Sequence, residues 1–212
     1  ASAVAELMEG ERPEHFGDIH RTYEDGERMV TTPPYTAFLK IAEGCSNGCA
    51  FCIIPKLRGR YRSRSMEALV EEARGLAASG VKELIVIAQD ITRYGLDRKD
   101  GSTLAKLLDR LCELDFHWIR LHYLYPEAVT DELIETIARQ PKILHYLDIP
   151  IQHCNDAILK AMRRRNTRVE IEALFAKLRK AMPDVVLRTS LICGLPGEGE
   201  AEFEELCHFL RE

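Results

Sequence analysis

The fold of this 212-residue chain is decided by the stretch Thr36-Ala-Phe-Leu-Lys-Ile-Ala42-Glu43-Gly44-Cys45-Ser-Asn-Gly-Cys49-Ala-Phe-Cys52. An apolar, strand-like run is followed at once by three cysteines in one short loop. Four thiolates would close a structural metal site, whereas three thiolates leave one coordination position open. A [4Fe–4S] cluster held by Cys45, Cys49 and Cys52 would therefore keep one iron free to bind a substrate or cofactor, which suits chemistry rather than structural support.

Zinc is an alternative metal for these cysteines to bind. Cys49 and Cys52 could form half of a zinc site, for which His122, His153 and Cys154 are the conceivable partners. None of these three belongs to a second close-spaced pair, so the zinc interpretation is the weaker one. Disulfide bonds are disfavoured as well, because the seven cysteines are an odd number and no signal peptide pattern precedes them.

The composition indicates a soluble globular protein, with 46% hydrophobic and 30% charged residues. No apolar run approaches the length that spans a membrane, so we expect no membrane association. Seven cysteines without an extracellular signal predict a reducing cytoplasm. The net charge of −5 argues against a dedicated nucleic-acid module.

Apolar runs and helical patterns alternate from Thr36 onwards. The predicted strands are 36–42, 82–88, 118–123, 145–149 and 185–192. The predicted helices begin after Ser65, after Ser102 and at Thr130, and continue with 156–163, 169–182 and 200–211. This alternation predicts an α/β fold with right-handed crossovers, in the form of a partial TIM-like (β/α) barrel of five to six parallel strands.

The cysteine spacing, with Phe51 before the last cysteine, resembles that of the radical S-adenosylmethionine (SAM) superfamily. The flanking residues narrow the resemblance to the methylthiotransferases, through Glu43-Gly44-Cys45, Cys52-Ile-Ile-Pro55, Arg58-Gly59 and Ser63-Arg64. The resemblance implies a reduced cluster whose open iron binds the methionine end of SAM. One-electron cleavage of SAM then gives a 5′-deoxyadenosyl radical, which abstracts a hydrogen atom from an unactivated carbon.

The resemblance also implies two flanking domains, neither of which is recognised in this sequence. One is an N-terminal domain whose three cysteines hold a second cluster, and the other is a C-terminal TRAM domain that binds the substrate. We therefore expect residues 1–35 to be a linker or tail from the missing N-terminal domain, with a short helix at Ala3–Met8. Residues 36–212 are expected to form the radical SAM core, and the second cluster is expected only in the full-length protein.

Ligands of parallel α/β folds bind at the carboxyl ends of the strands. The second strand ends in Gln89 and Asp90, at the position where members of the superfamily commonly contact the SAM amino group. The alternative is that these residues stabilise a loop through side-chain to backbone hydrogen bonds. The fourth strand leads to Gln152, which by resemblance faces the SAM ribose or methionine. Cys154 replaces a small residue of the family and could be inert, a cluster ligand or prone to oxidation.

Two later elements complete the expected SAM site. Met162-Arg163-Arg164 resembles a Met-x-Arg element, in which Arg164 could form a bidentate pair with the SAM carboxylate. The fifth strand runs into Ile192-Cys-Gly194-Leu-Pro-Gly-Glu198, which resembles the element that contacts adenine, so Ile192, Gly194 and Glu198 are candidates. Cys193 departs from the family pattern, and its role is left open.

The branch of the family is indicated by the residues after the third strand. Tyr123-Leu-Tyr125-Pro126 resembles the protein-modifying branch, and Asp90 stands where the tRNA-modifying branch tends to carry Asn. The resemblance thus implies addition of a methylthio group to the β-carbon of an aspartate in a small-subunit ribosomal protein, with the ribosome and an electron donor such as flavodoxin or ferredoxin as partners. The alternatives are a tRNA adenosine methylthiotransferase, which would bind tRNA, and a non-catalytic zinc-binding half-barrel.

Two further features stay open at this level. The strand alternation does not decide whether Arg188 points into the barrel, and a strand histidine such as His122 is more often structural than a ligand. Lys56–Arg64 carries five positive charges in nine residues. This stretch could steer an acidic or phosphate-bearing partner, although such runs are usually solvated surface.

Overall fold

The computed structural model describes residues 8–10, 18–19 and 29–211. Most of the predicted linker 1–35, and all but the last residue of the helix expected at Ala3–Met8, lie outside these residues. Within the part of the chain that is described, no helix is long and apolar enough to cross a membrane.

The central element is a sheet of five parallel strands that follow one another in chain order. A two-stranded antiparallel pair, β2 with β3, stands beside it. The strands are β1 (Thr36–Lys40), β2 (Ala42–Glu43), β3 (Arg62–Ser63), β4 (Glu83–Ile87), β5 (Trp118–Leu121), β6 (Ile143–Asp148) and β7 (Val186–Arg188). The predicted α/β fold with a partial barrel of parallel strands is confirmed.

The helices from Met66 onwards follow the predicted order, and five of them begin after a residue whose side chain accepts a hydrogen bond from the first turn; the helix at Ile54–Arg58 was not predicted. The helices are α1 (Ile54–Arg58), α2 (Met66–Ala78), α3 (Leu104–Cys112), α4 (Asp131–Arg139), α5 (Asp156–Ala161), α6 (Arg168–Ala181) and α7 (Glu200–Phe209). Ser65 caps α2 as predicted, by accepting a hydrogen bond from the Ala68 amide. The prediction that Ser102 caps α3 is wrong: Thr103 is extended and its hydroxyl accepts from the Lys106 amide.

Two details of the strands differ from the sequence prediction. The β2–β3 pair was not predicted, because two residues on each side are too few to show a period of two. Strand β7 is shorter than the strand predicted at 185–192, because its hydrogen-bonded pairing with β6 ends at Arg188. Beyond that point the Thr189 hydroxyl donates to the Ile149 carbonyl, and only the Gln152–Leu191 bridge continues the pairing.

The core lies between one face of the sheet and the helices. Alternate strand residues such as Leu39, Leu84 and Leu121 are fully buried there, against helix residues such as Leu108 and Ile137. The opposite face of the sheet is the inside of the partial barrel and stays open, since Phe38, Trp118 and Val186 are 40%, 47% and 54% exposed. The sheet therefore presents its carboxyl edge and an open concave face to ligands.

Leu108→Ala tests the assignment of the core. Leu108 is fully buried, so we expect the free energy of unfolding to fall by about 2–5 kcal/mol, measured by urea denaturation. Leu96→Ala is the control, because Leu96 is 71% exposed and its loss should change stability by less than about 0.5 kcal/mol. Equal losses in the two variants would contradict this packing.

Candidate active site

The loop that carries the three cysteines begins at a glycine that no other residue can replace without strain. Gly44 has a φ of 78°, and a Cβ there would overlap the Arg60 carbonyl and lie 2.7 Å from the Gly59 carbonyl oxygen. The next residue, Cys45, donates its amide hydrogen to the Gly59 carbonyl at 3.1 Å. The backbone of residues 59–60 therefore fixes the direction in which the cysteine loop leaves β2.

Asp90 ties the cysteine loop to the end of β4. Its side chain is fully buried and accepts hydrogen bonds from Asn47 Nδ2, the Thr92 amide and Arg93 Nε, each at 3.1 Å, and from the Thr92 hydroxyl. A carboxylate has about four acceptor positions, and these four donors occupy them. The contact of Asp90 with the SAM amino group stays a prediction, whereas its structural role is visible in these bonds.

A cavity of about 240 Å³ opens at the carboxyl edge of the sheet. All three cysteines line this cavity, and so do three of the polar residues predicted from sequence, which are Gln89, Gln152 and Arg164. Asp90, Ile192, Gly194 and Glu198 are not among the lining residues. The loops after β1, β4, β5, β6 and β7 all contribute, which is the arrangement expected of a ligand site in a parallel fold.

The three cysteines have different surroundings. Cys45 is buried, and burial raises the pKa of its thiol, with a smaller contribution from the charge of Asp90. Cys49 is half-buried, with its Sγ 3.1 Å from the Tyr125 hydroxyl, and Cys52 is exposed. The site thus combines one shielded thiol with one that faces solvent.

The donor set fits an iron–sulfur cluster. Among the described residues, no three His, Cys, Asp or Glu side chains converge closely enough to hold a single metal ion. A [4Fe–4S] cluster does not need that convergence, because each thiolate binds a different iron atom. Cys45, Cys49 and Cys52 would hold three irons of such a cluster, and the fourth iron would be left without a cysteine ligand.

Two buried polar atoms at this site have no hydrogen-bond partner within the described part of the chain. These atoms are Gln89 Oε1 and Arg164 Nε. Arg164 is only 8% exposed and is held by a 2.8 Å bond from its Nη2 to the Pro150 carbonyl. Unsatisfied buried polar groups are costly, so these atoms indicate a site shaped for a polar ligand.

Backbone strain is concentrated at the cavity wall. Tyr123 and Gln152 have φ values of 66° and 71°, a conformation that residues other than glycine seldom adopt. Gln152 is held there by two backbone bonds, from its amide to the Ser190 carbonyl at 3.0 Å and to its carbonyl from the Ile192 amide at 2.8 Å. Such strain is common at ligand sites, where the surrounding structure maintains it.

The residues expected near adenine lie in the loop after β7. Gly194 has a φ of 79°, and Glu198 accepts a 3.0 Å hydrogen bond from the Leu195 amide, which closes the loop. The second oxygen of Glu198 lies 3.5 Å from Nε2 of the fully buried His153. These contacts shape the loop, and direct contact of Ile192, Gly194 or Glu198 with adenine stays a prediction.

Three side chains left open by the sequence now have positions. Arg188 forms a 2.6 Å ion pair with the fully buried Asp148, and His122 Nδ1 lies 3.6 Å from the other oxygen of that carboxylate. Cys154 is fully buried, and burial raises its pKa to about 11, so its thiol stays protonated at neutral pH. These surroundings favour the inert interpretation of Cys154.

The basic stretch Lys56–Arg64 is only partly a surface feature. Arg64 is buried and pairs with Glu72 at 2.7 Å, and Arg62 donates to the carbonyls of Arg60 and Arg58. The remaining cations, at Lys56, Arg58 and Arg60, are exposed.

Sequence reasoning missed several residues that line the cavity. They are Asn47, Tyr123, Tyr125 and Ser190. Tyr125 carries the most contacts: its ring lies 3.9 Å from the Arg164 guanidinium carbon, and burial together with the Cys49 contact raises the pKa of its hydroxyl. The position of Tyr125, just after the carboxyl end of β5, could have identified it as a residue of the site. The sequence analysis uses this segment only to indicate the branch of the family.

Residues 39–210 match the family model described as the Radical SAM superfamily. The chain belongs to this superfamily, which supports SAM and a [4Fe–4S] cluster as the cofactors of the site. Within the superfamily it is 51% identical, over 211 residues, to a protein named ribosomal protein uS12 methylthiotransferase RimO from Caldanaerobacter subterraneus subsp. tengcongensis, an alignment that covers 99% of this chain and 48% of the relative.

A second relative and a solved structure are also similar to this chain. The protein of the same name from Pelobacter propionicus is 55% identical over 186 residues, covering 87% of this chain and 41% of the relative. The chain spans about half the length of the curated relatives it matches. The chain is also similar to the solved structure of the radical SAM methyltransferase TsrM from Kitasatospora setae with cobalamin and a [4Fe–4S] cluster bound. The TM-score is 0.69 at 16% identity, over 87% of this chain and 38% of that chain, which shows a shared fold.

Gly44→Ala tests how the cysteine loop is held. A methyl group at this position must displace the backbone of residues 59–60, so we expect iron and sulfide uptake on anaerobic reconstitution to fall by about tenfold or more. Gly80→Ala is the matched control, because Gly80 also has a positive φ, of 97°, but has no atom within 4 Å of the added Cβ. Normal uptake by Gly44→Ala would contradict this role of the loop.

Proposed function

We propose that this chain is the catalytic core of a radical SAM methylthiotransferase that modifies ribosomal protein uS12. The observation that carries the proposal is one cavity lined by Cys45, Cys49 and Cys52 together with Gln89 and Arg164, whose Oε1 and Nε atoms are buried without a hydrogen-bond partner among the described residues. When bound, a [4Fe–4S] cluster with an open iron supplies one-electron cleavage of SAM. The three cysteines would hold the cluster.

The remaining residues bind and orient SAM. Arg164 offers a buried guanidinium to the methionine carboxylate, and Gln89 offers its side-chain amide to the polar groups beside it. Gln152 lines the ribose side, and the loop that contains Ile192, Gly194 and Glu198 would cover the adenine. The cavity is also lined by Phe51, Ile54 and Leu124, which give part of its wall an apolar surface.

The substrate assignment rests on the relatives at about 50% identity, which are named ribosomal protein uS12 methylthiotransferase RimO. We propose an aspartate of this ribosomal protein as the site of modification, with a flavodoxin or ferredoxin as electron donor and the cytoplasm as location. Those relatives are about twice as long as this chain. We assign residues 1–35 to a linker and 36–212 to the core, because the alternation of strands and helices begins at Thr36. The second cluster and a TRAM domain are proposed only for the longer protein.

Gln89→Leu tests the SAM site. Leucine keeps the approximate volume of the side chain but removes its polar groups, so we expect the Kd for SAM to rise by about tenfold, measured by equilibrium dialysis of the reconstituted protein. Gln140→Leu is the control, since Gln140 bonds to Asp109 and does not line the cavity. An unchanged Kd for Gln89→Leu would remove Gln89 from the site.

A comparison of this chain with a longer form that includes the flanking domains tests the reaction. With reductant and SAM, both proteins are expected to release 5′-deoxyadenosine, and only the longer form is expected to add a methylthio group to uS12, as read by mass spectrometry. Modification of tRNA adenosine instead of uS12 would favour the tRNA branch. Efficient modification of uS12 by this chain alone would contradict the need for a second cluster.

A further inference from the structure

One of the three candidate cluster ligands has a side-chain hydrogen-bond partner. The Tyr125 hydroxyl lies 3.1 Å from Cys49 Sγ, and Arg164 Nη1 lies 4.0 Å from the same sulfur. By contrast, Cys45 Sγ accepts a 3.4 Å bond from the Asn47 backbone amide. Among the described residues, the sulfur of Cys49 is therefore the one of the three that is hydrogen-bonded by a polar side chain.

Tyr125 is held in place from several directions. Its amide donates to the Thr92 hydroxyl at 3.3 Å, and its ring lies 3.9 Å from the guanidinium carbon of Arg164. Arg164 is itself fixed by its bond to the Pro150 carbonyl, and the guanidinium carbon of Arg93 lies 5.9 Å from the Tyr125 ring. The direction of the hydroxyl towards Cys49 is thus set by contacts that do not depend on a bound cofactor.

The chemistry of this contact follows from the state of the sulfur. A cysteine that binds iron is a thiolate without a proton, so the Tyr125 hydroxyl must be the donor of the hydrogen bond. A cation over an aromatic ring draws electron density from it, which makes the phenol of Tyr125 a stronger donor. Hydrogen bonds and positive charge at a ligand sulfur stabilise the reduced, more negative form of an iron–sulfur cluster.

We propose that Tyr125, oriented and polarised by Arg164, raises the reduction potential of the cluster through its hydrogen bond to Cys49. The inference rests on the proposed function, because it requires that Cys49 binds the cluster. Tyr125 is a positioning residue in this account: it acts on the cluster through a ligand sulfur and takes no part in bond cleavage. Its effect is to make the one-electron reduction of the cluster easier for the electron donor.

Tyr125→Phe isolates the hydroxyl, because phenylalanine keeps the ring beneath Arg164 and removes only the hydrogen bond. The full chain is reconstituted anaerobically and titrated with reductant in the absence of SAM, with the reduced cluster followed by EPR. At a fixed potential we expect the ratio of reduced to oxidised cluster to fall about tenfold, equivalent to about 59 mV for a one-electron couple. The midpoint should move to a more negative potential.

Tyr123→Phe is the matched control for the potential. It removes a hydroxyl from the same cavity wall, and within the described residues that hydroxyl forms no hydrogen bond to a cysteine sulfur. Its midpoint should equal that of the unaltered protein. An equal shift in both tyrosine variants would show a general effect of the cavity and would overturn the proposal.

The remaining outcomes separate this inference from the proposed function. Failure of the unaltered protein to take up iron would overturn the proposed function, whereas normal uptake with an unchanged midpoint in Tyr125→Phe would overturn only the inference. If Tyr125→Phe itself takes up no iron, the midpoint potential of the cluster is measured in Arg164→Gln instead. Loss of the cation 4.0 Å from Cys49 Sγ must then shift the midpoint in the negative direction, and an unshifted midpoint overturns the proposal.

Discussion

The parallel pairing of β1 with β4 fixes where the cysteine loop lies. The register runs from Thr36 opposite Glu83 to Lys40 opposite Ile87, and the Ile41 amide extends it with a 3.0 Å bond to the Ile87 carbonyl. Since parallel strands end at the same edge, the loop that follows β1 meets the loop that follows β4. The bond between Asn47 and Asp90 joins the two loops, and the strands β5 to β7 add their own loops to the same edge.

The site built on this edge retains polar atoms that no other group in the described part of the chain satisfies. An unpaired buried polar group costs about 1–3 kcal/mol, and the cavity contains two such atoms, on Gln89 and Arg164, beside strained backbone at Tyr123 and Gln152. The core beneath the sheet, which is apolar and closely packed, supplies the stability that supports this arrangement. The cost is recovered when a ligand with complementary polar groups binds.

Much of the fold and part of the site could be predicted from the sequence. Long apolar runs such as that of β4 and capping residues such as Ser65 act locally, so their patterns are visible in the chain. The contact between Cys49 and Tyr125 joins residues 76 positions apart, and no local pattern reports it. The same reason explains why the sequence does not show the bonds of Asp90 to Asn47 and Arg93, although it offers a loop held by side-chain bonds as one interpretation of this segment.

The most direct test of the central claim is an EPR spectrum of the anaerobically reconstituted, reduced protein, recorded with and without SAM alongside iron, sulfide and zinc analysis. The account predicts about four irons and four sulfides per chain, and a signal that changes when SAM is added, since SAM would bind the iron that Cys45, Cys49 and Cys52 leave open. Stoichiometric zinc without iron uptake, or a cluster signal that SAM leaves unchanged, would contradict it.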